Sequence, residues 1–382
     1  MSKVDILYHN LSDSILTNGY TYFTDNRSTI PCIQLSSVNI DIPLTEFPLL
    51  TTKKMFTKGI VEELLWFLRG DSSIKPLLDK GVHIWDKDAY GYLQRQVEDE
   101  HLSLEQFVFA VQRGNFTGDV GRNYGVNWRK WTNVGSDIGI DDDILTPFDQ
   151  ITNLITNLKK DNPISRRHII TAWNPAEIDQ TALPCCHWAW EVIPRPLTYS
   201  QRIQYSGKDV EYLETVWKEA FKDSSQTAEE ALILLNEELK EVPMYGFILK
   251  WHQRSCDTFL GIPFNIASYG LLAYILGSIV DMIPLSIIGD LSNVHFYTRP
   301  EGASEDVISH VDLIKQQLAN NPNTYEGCQL SFSDNYQKML TLYKEGTISF
   351  DEFLYPLSHE DFIFNNYQSF PSIKGDMYSP TE

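Results

Sequence analysis

The sequence predicts an α/β protein of the α+β type, in which helices pack against a sheet, and three observations predict this class. Segments with apolar residues at helical spacing alternate with short runs of β-branched and aromatic residues, which are typical of strands. The apolar segment 264–280 has no polar face, so we expect a helix that is buried on nearly all sides. Hydrophobic residues make up 42% of the 382 positions, which is enough to bury a large core.

Three other segments have the pattern of helices. Residues 53–69 carry apolar side chains every three or four positions, and Gly70 is expected to end this helix. Ser103 and Gln106 form a capping box before a short surface helix within 100–114. Residues 149–158 repeat isoleucine and leucine in helical register, which predicts an amphipathic helix.

The strands are predicted at 169–172, 188–193 and 246–251, where aromatic and β-branched residues are concentrated. Between the last two strands lies an acidic segment, 208–241. We expect it to form one or two amphipathic helices on the surface, inserted between two strands of the sheet.

The charge balance disfavours nucleic acid as a partner. The chain has 51 acidic and 31 basic residues and a formal net charge of −20. Electrostatic binding to nucleic acid depends on lysine and arginine neutralising phosphates, so we expect no direct contact with nucleic acid.

No membrane, disulfide or metal is expected either. Residues 1–14 lack the apolar core of a signal peptide, and the apolar run 266–280 is expected to be too short to span a bilayer. Five cysteines at irregular spacing do not form a disulfide framework, so a cytoplasmic setting is expected. Cys185, Cys186 and His187 are adjacent and leave no gap for a zinc-binding loop.

Cys186, within LPCCH at 183–187, is the first candidate for chemistry. A thiol becomes a good nucleophile where positive charge favours the thiolate, and Arg166 and Arg167 lie upstream. Taken alone, a cysteine is more often a small buried hydrophobic residue. A dyad of Cys186 with His187 is not expected, because neighbours in a strand point to opposite faces.

A second stretch, QRSCD at 253–257, suits phosphate binding. Arg254 offers a bidentate guanidinium and Ser255 adds a hydroxyl donor, although a surface ion pair explains this stretch taken alone. Asn265 stands near the start of the apolar helix, where an N-cap role is the alternative to a role in binding.

Two further stretches leave alternatives open. Glu62 and Glu63 lie on a helix whose pattern does not leave both in solvent, so we expect one of them in a cleft with a raised pKa. The cluster GRNYGVNW, at 121–128, either lines a planar ligand or forms a tight turn with a packed tryptophan.

In combination these stretches resemble the thymidylate synthase family. Together with FPSIK near the end, the matching blocks cover well over half of the chain, and they occur in the family's order. The blocks are FPLLTTKK, EELLWFLRGD, HIWD, YGVNWRKW, SRRHIITAWNP, LPCCH, QRSCDTFLGIPFNIASYGLL and HFY.

The resemblance implies four catalytic residues. Cys186 matches the nucleophile that adds to C6 of a pyrimidine nucleotide, after which C5 attacks the one-carbon unit of 5,10-methylenetetrahydrofolate. Glu63 matches the glutamate that orders water and relays protons near O4, and Tyr124 matches the tyrosine that helps to remove the C5 proton. Asn265 matches the residue that reads the base, which implies uracil rather than cytosine, so the nucleotide is dUMP.

The resemblance also implies the binding residues and a homodimer, since two arginines match a pair that the family donates from the other subunit. No metal is implied. The dUMP residues are Arg27, Gln253, Arg254, Ser255, Asn265, His295 and Tyr297, with Arg166 and Arg167 from the partner. The folate residues are Lys53, Ile84, Trp85, Leu183, Asp257, Gly261 and Phe264.

The fold that the resemblance implies is a single catalytic domain over 1–382. Its sheet is expected to be mixed and largely antiparallel, with helices on one face and a partner's sheet packed back to back on the other. Relative to a compact family member, surface insertions are expected at about 91–117, 196–245 and 305–345.

Four departures from the family's pattern bear on the product. Cys185 stands where a proline or another small residue is common, Asp88 replaces a tryptophan that packs on the folate, and Asn293 replaces an aspartate. The tail 375–382 is longer and more polar than the small hydrophobic tail that closes the family's site.

The departures favour a dUMP hydroxymethylase, as in viruses with modified DNA. A poorly sealed site would let water capture the exocyclic methylene before hydride reduces it, giving 5-hydroxymethyl-dUMP. Thymidylate synthesis, with release of dihydrofolate, is the alternative. A non-catalytic protein that binds nucleotide or a partner is a further alternative. For a viral chain, the cytoplasm would be that of the host.

Overall fold

A seven-stranded sheet forms the centre of the molecule. The computed structural model describes residues 2–22, 30–97, 102–132, 147–207, 235–299, 302–304 and 307–376, together with positions 211, 215, 218 and 233. The strands are β1 Tyr20–Tyr22, β2 Cys32–Pro43, β3 Ile169–Thr171, β4 His187–Pro196, β5 Tyr245–Gln253, β6 Cys256–Asp257 and β7 Ile283–Tyr297.

The strand order is β1, β2, β7, β5, β4, β3, and β6 pairs with β7 off this path. β5 and β6 run parallel to β7. The pairs β1 with β2, β2 with β7, β3 with β4 and β4 with β5 are antiparallel. The sheet is therefore mixed and largely antiparallel, which confirms the predicted fold class.

Helices pack against one face of this sheet. A small antiparallel sheet, β8 Gln329–Phe332 with β9 Phe362–Asn365, lies in the C-terminal part of the chain. The helices are α1 Lys3–Asn18, α2 Thr57–Arg69, α3 Lys75–Leu78, α4 Asp86–Gln96, α5 Leu104–Gln112, α6 Tyr124–Arg129, α7 Gln150–Leu158, α8 Tyr199–Tyr205, α9 Gly261–Val280, α10 His310–Leu318, α11 Asp334–Lys344 and α12 Phe350–Leu354.

The apolar helix α9 lies at the centre of the core. It packs on α2, α7 and the sheet, and most of its side chains are buried. Among the described residues it is the one helix long and apolar enough, by length and composition, to cross a membrane. It begins at Gly261, three residues before the predicted start. Its burial confirms the prediction of a core helix.

The opposite face of the sheet is half open and carries both apolar and charged side chains. On β4, Trp188 is 39% exposed and Ile193 is 40% exposed. Beside them, His252 lies 3.5 Å from Glu191 and 3.2 Å from Asp290 across three neighbouring strands. This is the face on which the family resemblance predicts the partner's sheet.

Most of the predicted elements are confirmed within a few residues. The capping box of Ser103 and Gln106 is formed before α5, and Asp149 caps α7. Gly70, at φ 69°, ends α2 as predicted. That helix begins at Thr57 rather than at residue 53, because the preceding loop is held in another conformation by Asp5 of α1.

The acidic segment 208–241 does lie between two strands, β4 and β5. Most of its predicted helical structure falls outside the described residues. Helix α8 lies just before this segment. Ile203 of α8 packs against a small separate hydrophobic cluster at the far end of the segment, formed by Leu235, Leu239 and Val242.

Candidate active site

Cys186 directly precedes β4, which agrees with its predicted position at the start of a strand. Its side chain is half-buried. Arg254 Nη2 lies 3.9 Å from the Cys186 Sγ. The same guanidinium donates to the carbonyl oxygens of Cys185 at 3.0 Å and Pro184 at 2.7 Å, and it lies over the ring of Trp173. A fixed positive charge beside a thiol favours the thiolate, so this geometry suits a nucleophile.

Tyr124, the first residue of α6, contacts the backbone of Cys186. Its hydroxyl accepts a hydrogen bond from the Cys186 N–H at 2.8 Å, and its ring stacks on His187 at 3.9 Å. Burial raises the pKa of Tyr124 well above its ordinary value, so the phenol keeps its proton. The phenol can therefore donate that proton in a hydrogen bond to water or substrate.

His187 is not suited to acid–base catalysis. Its Nδ1 lies 2.9 Å from the Tyr269 hydroxyl, and burial lowers its pKa to about 3, so the ring is neutral. The sequence analysis did not single out Tyr269, although it lies within a quoted block. The bond to Tyr269 agrees with the expectation that His187 does not form a dyad with Cys186.

The two glutamates of α2 have different environments. Burial raises the pKa of Glu63 to about 7, although a 2.7 Å hydrogen bond from Trp85 Nε1 opposes the shift. Glu62 is 1% exposed, and its Oε2 lies 2.6 Å from Lys80 Nζ while its Oε1 accepts from the His359 N–H. The predicted cleft carboxyl with a raised pKa is thus Glu63, whereas Glu62 joins helix α2 to two other segments.

Asn265 lies inside α9 and does not cap it, so the N-cap alternative is wrong. Asp257 lies before this helix, and its Oδ1 accepts from the backbone N–H of Phe259 at 2.9 Å and Leu260 at 3.1 Å, whereas the N-cap position itself, Leu260, has no side-chain cap. Gln253 Nε2 donates to Asn265 Oδ1 at 3.1 Å. The Gln253 side chain therefore orients the amide that is predicted to read the base.

Asp257 and Lys53 lie together at the other end of the site. Burial acts to raise the pKa of Asp257, but His310, His295 and backbone N–H groups together hold it below its ordinary value. Lys53 is 5% exposed, its Nζ donates to the Phe259 carbonyl at 2.5 Å, and burial lowers its pKa to about 7. Lys53 thus faces the interior beside Asp257 rather than open solvent.

Asn293 joins β7 to the stretch QRSCD at 253–257. It adopts the left-handed conformation at φ 50°, which asparagine tolerates better than most residues. Its Nδ2 donates to the Arg254 carbonyl at 2.8 Å, and its own carbonyl lies 2.7 Å from His295 Nδ1. The His295 ring lies 4.9 Å from that of Tyr297, so the two predicted ribose contacts are adjacent.

The C-terminal tail is docked as far as Asp376. Gly375 lies against Phe259 and Leu313, where a Cβ would come within 2.7 Å and 2.9 Å of their side chains. The carbonyl of Asp376 lies 2.9 Å from His310 Nε2. The remainder of the polar tail, 377–382, is outside the described residues.

The structure brings most of the predicted residues together, but not all of them. Arg166 and Arg167 are exposed in the segment before β3, and Arg27 lies outside the described residues. Trp173 and His310 are contacts that the sequence analysis missed, although Trp173 lies within a quoted block. Ile84 directly precedes Trp85, and Leu183 lies two residues before Cys185. Gly261 and Phe264 lie in the first turn of α9, and Ser255 directly precedes β6.

A thiol beside a fixed guanidinium is typical of enzymes that use covalent nucleophilic catalysis. Within the part of the chain that the structure describes, no group of histidine, cysteine, aspartate and glutamate side chains has the arrangement of a metal site.

The sequence model of the family described as thymidylate synthase matches residues 6–207 and 238–379, so the chain belongs to the thymidylate synthase family. It is therefore a one-carbon transferase, and this confirms the resemblance found in the sequence.

Three relatives show how far the similarity extends, and each of them is named thymidylate synthase. That of phage T4 is 30% identical over 97% of this chain and 98% of the relative. That of Mesoplasma florum is 29% identical over 97% of this chain and 98% of the relative. That of Saccharomyces cerevisiae is 34% identical over 73% of this chain and 71% of the relative.

Proposed function

We propose that the protein is a thymidylate synthase, which converts dUMP to dTMP with 5,10-methylenetetrahydrofolate and releases dihydrofolate. The observation that carries this proposal is the docked tail, because Gly375 and Asp376 lie against Phe259 and His310 at the Asp257 end of the site. The sequence departures pointed to a poorly sealed site there. A sealed site excludes water, which favours reduction by hydride over capture by water.

The nucleophile and its neighbours suit the first steps on dUMP. The Cys186 thiolate would form a bond to C6, and the electron pair of the C5–C6 double bond would move toward O4 as an enolate. Arg254 favours the thiolate, and Asn265, oriented by Gln253, would donate to O4 and accept from N3–H. Asn265 is the residue proposed to select uracil.

Proton movement would be shared between Glu63 and Tyr124. With a pKa of about 7, Glu63 is present in both protonation states near neutral pH and can both accept and donate a proton. Tyr124 stays protonated, so it would act through a hydrogen-bonded water rather than as a direct base. Phosphate would be held by Arg27, Arg254 and Ser255, and the ribose by His295 and Tyr297.

The folate would lie along the side of the site that contains Asp257. This carboxylate stays ionised because its pKa is lowered, so it suits the N–H donors of a pterin. Trp85, 6% exposed and fixed by its bond to Glu63, would lie next to the reacting carbon. Ile84, Leu183, Gly261 and Phe264 would complete the folate contacts, with Lys53 at one end.

A homodimer is part of the proposal. The exposed Trp188 and Ile193 on the open face of the sheet support back-to-back packing, because large apolar side chains on one face mark interaction surfaces. The exposed Arg166 and Arg167 would then reach the partner's phosphate site. We also propose a single catalytic domain with the three insertions predicted above. The family match omits residues 208–237, within the second of them. A cytoplasmic location, that of the host for a viral chain, fits this function.

Hydroxymethylation of dUMP remains the second candidate, because of Asp88. Asp88 lies in the first turn of α4, three residues after Trp85, at a position where the family's pattern has a second tryptophan. A carboxylate in the folate wall would hold water near the exocyclic methylene. The product would then be 5-hydroxymethyl-dUMP, and the folate would leave as tetrahydrofolate.

Incubation of the protein with dUMP and 5,10-methylenetetrahydrofolate distinguishes the two candidates. We expect a methylated nucleotide by mass, with an equal amount of dihydrofolate by absorbance. A hydroxymethyl product without dihydrofolate would overturn the proposal in favour of the second candidate. The variant Asp88→Trp should lower any hydroxymethyl fraction, whereas Lys87→Trp, at an exposed neighbouring position, should not.

A further inference from the structure

His310 joins two parts of the candidate site that are distant in the sequence. It is the first residue of α10 and its side chain is 0% exposed. One ring nitrogen, Nε2, lies 2.9 Å from the carbonyl oxygen of Asp376 in the tail. The other, Nδ1, lies 3.5 Å from Oδ1 of Asp257, the carboxylate proposed to hold the pterin.

The surroundings of the ring fix its orientation. Phe259 lies 5.1 Å away between ring centroids and Tyr297 lies 5.5 Å away, nearly perpendicular to the imidazole. Ser309 caps α10 and fixes the backbone from which the side chain extends. With the ring fixed, each nitrogen can serve only one partner.

The Asp376 carbonyl can only accept a hydrogen bond, so the Nε2 that faces it is the donor, and Nδ1 faces the Asp257 carboxylate at 3.5 Å. Undocking of the tail would leave Nε2 buried and without the Asp376 carbonyl, which is costly inside a protein. The ring would then shift toward solvent or another acceptor, and Nδ1 would move relative to Asp257. The tail and the carboxylate therefore depend on each other through one side chain.

We propose that His310 is a positioning residue that couples docking of the tail at Asp376 to the orientation of the Asp257 carboxylate. Because coupling is reciprocal, binding of folate at Asp257 would also tighten the tail. The role of Asp257 in holding folate belongs to the proposed function, on which the proposal therefore rests. His310 itself need not contact the reacting atoms.

Two variants separate the two contacts. In His310→Gln the amide nitrogen occupies the place of Nε2 and can still reach the tail carbonyl, but the contact with Asp257 is lost. In His310→Asn the amide nitrogen occupies the place of Nδ1, so the contact with Asp257 is kept and the tail is released. Each variant is thus the matched control for the other, and each remains polar.

The experiment measures kcat, the KM values for dUMP and 5,10-methylenetetrahydrofolate, and the rate at which carboxypeptidase removes the tail, with and without the folate. For His310→Gln we expect a folate KM raised about tenfold and a protected tail. For His310→Asn we expect a tail cut about tenfold faster, with protection by folate lost. The KM for dUMP should change less than about twofold in both.

Wild-type values for folate KM and tail protection in both variants would overturn the coupling. Equal rises in the KM for dUMP and for folate would also overturn it, because a general structural defect has that effect. Failure of the proposed function would be recognised separately, since the wild-type protein would then form no product from dUMP and the folate.

Discussion

Replacement of Trp85 by phenylalanine tests the link between Glu63 and the aromatic wall. The indole Nε1 donates to Glu63 Oε1 at 2.7 Å, and this bond lowers the pKa of Glu63, which burial raises to about 7. Phenylalanine keeps an aromatic ring but removes the donor. The carboxylate form then loses a stabilising partner, so the pKa of Glu63 must rise further.

The size of the rise follows from the strength of the bond. A hydrogen bond to a charged group stabilises by roughly 1.5 to 3 kcal/mol, and one pKa unit corresponds to about 1.36 kcal/mol. The pKa of Glu63 should therefore rise by about one to two units above its value in the wild-type protein. If turnover requires the carboxylate, the rate at pH 7 should fall about fivefold for a rise of one unit and about fiftyfold for a rise of two units.

The assay is the pH dependence of kcat/KM for dUMP at a fixed concentration of folate. We expect the acid limb of the profile to move to higher pH in Trp85→Phe. The matched control is Trp66→Phe, because the Trp66 indole makes a similar bond of 2.8 Å, but to the Ser73 carbonyl. An unchanged limb in Trp85→Phe, or an equal shift in Trp66→Phe, would refute the reasoning.

Three further predictions concern the catalytic residues themselves. Cys186→Ser should abolish turnover but keep dUMP affinity within about twofold by calorimetry, and measurable turnover would contradict the nucleophile assignment. Asn265→Asp should shift the ratio of kcat/KM toward dCMP by at least about tenfold, and an unaltered ratio would remove its role in base selection. Glu63→Gln should change how stability depends on pH, because the pKa of Glu63 is raised from 4.5 to about 7 on folding. The folded wild-type protein binds the extra proton between these values, so its free energy of unfolding falls as pH rises through that window, by up to about 3 kcal/mol. The glutamine variant should lack this decline in urea titrations at pH 5 and pH 8, and parallel curves would show that Glu63 does not titrate near 7.

Local patterns predicted the local structure well. The isoleucine and leucine repeat of 150–158 and the capping box at Ser103 depend on residues a few positions apart, and both elements formed as expected. The central strands β2 and β7 and helix α1 were not predicted, although β2 and β7 pair along most of their length. Their pairing is a contact between segments about 250 residues apart, which no local pattern reveals.

For the candidate site, too, contacts between residues distant in the sequence were not predicted. Resemblance assigned roles to Cys186, Glu63 and Asn265, but it did not show which side chains contact them, such as Arg254, Trp85 and Gln253. Asp5 holds the loop before Lys53 through four hydrogen-bonding groups of Thr51 and Thr52, far along the chain. The N-cap alternative for Asn265 failed because the helix begins at Gly261, which places Asn265 inside it.

The expectation about the product depended on the tail, and here the sequence was least informative. The polarity of 375–382 predicts an open site, and of these residues the structure describes Gly375 and Asp376, where Gly375 fits against Phe259 because it lacks a side chain. A composition count does not reveal such a close approach of backbone to a ring. The buried His310 that receives the tail also has no signature in its own segment.

The covalent adduct is the most direct test of the central claim, that Cys186 adds to C6 of dUMP before the one-carbon unit is transferred. In 5-fluoro-dUMP the C5 proton is replaced by fluorine, which cannot leave as a proton, so the adduct should be trapped. Incubation of the protein with this analogue and 5,10-methylenetetrahydrofolate should add the mass of both molecules to the chain. After digestion, the added mass should be on the peptide that contains Cys186. An unmodified Cys186 peptide in a preparation that turns over dUMP, or an adduct on another residue, would contradict the account.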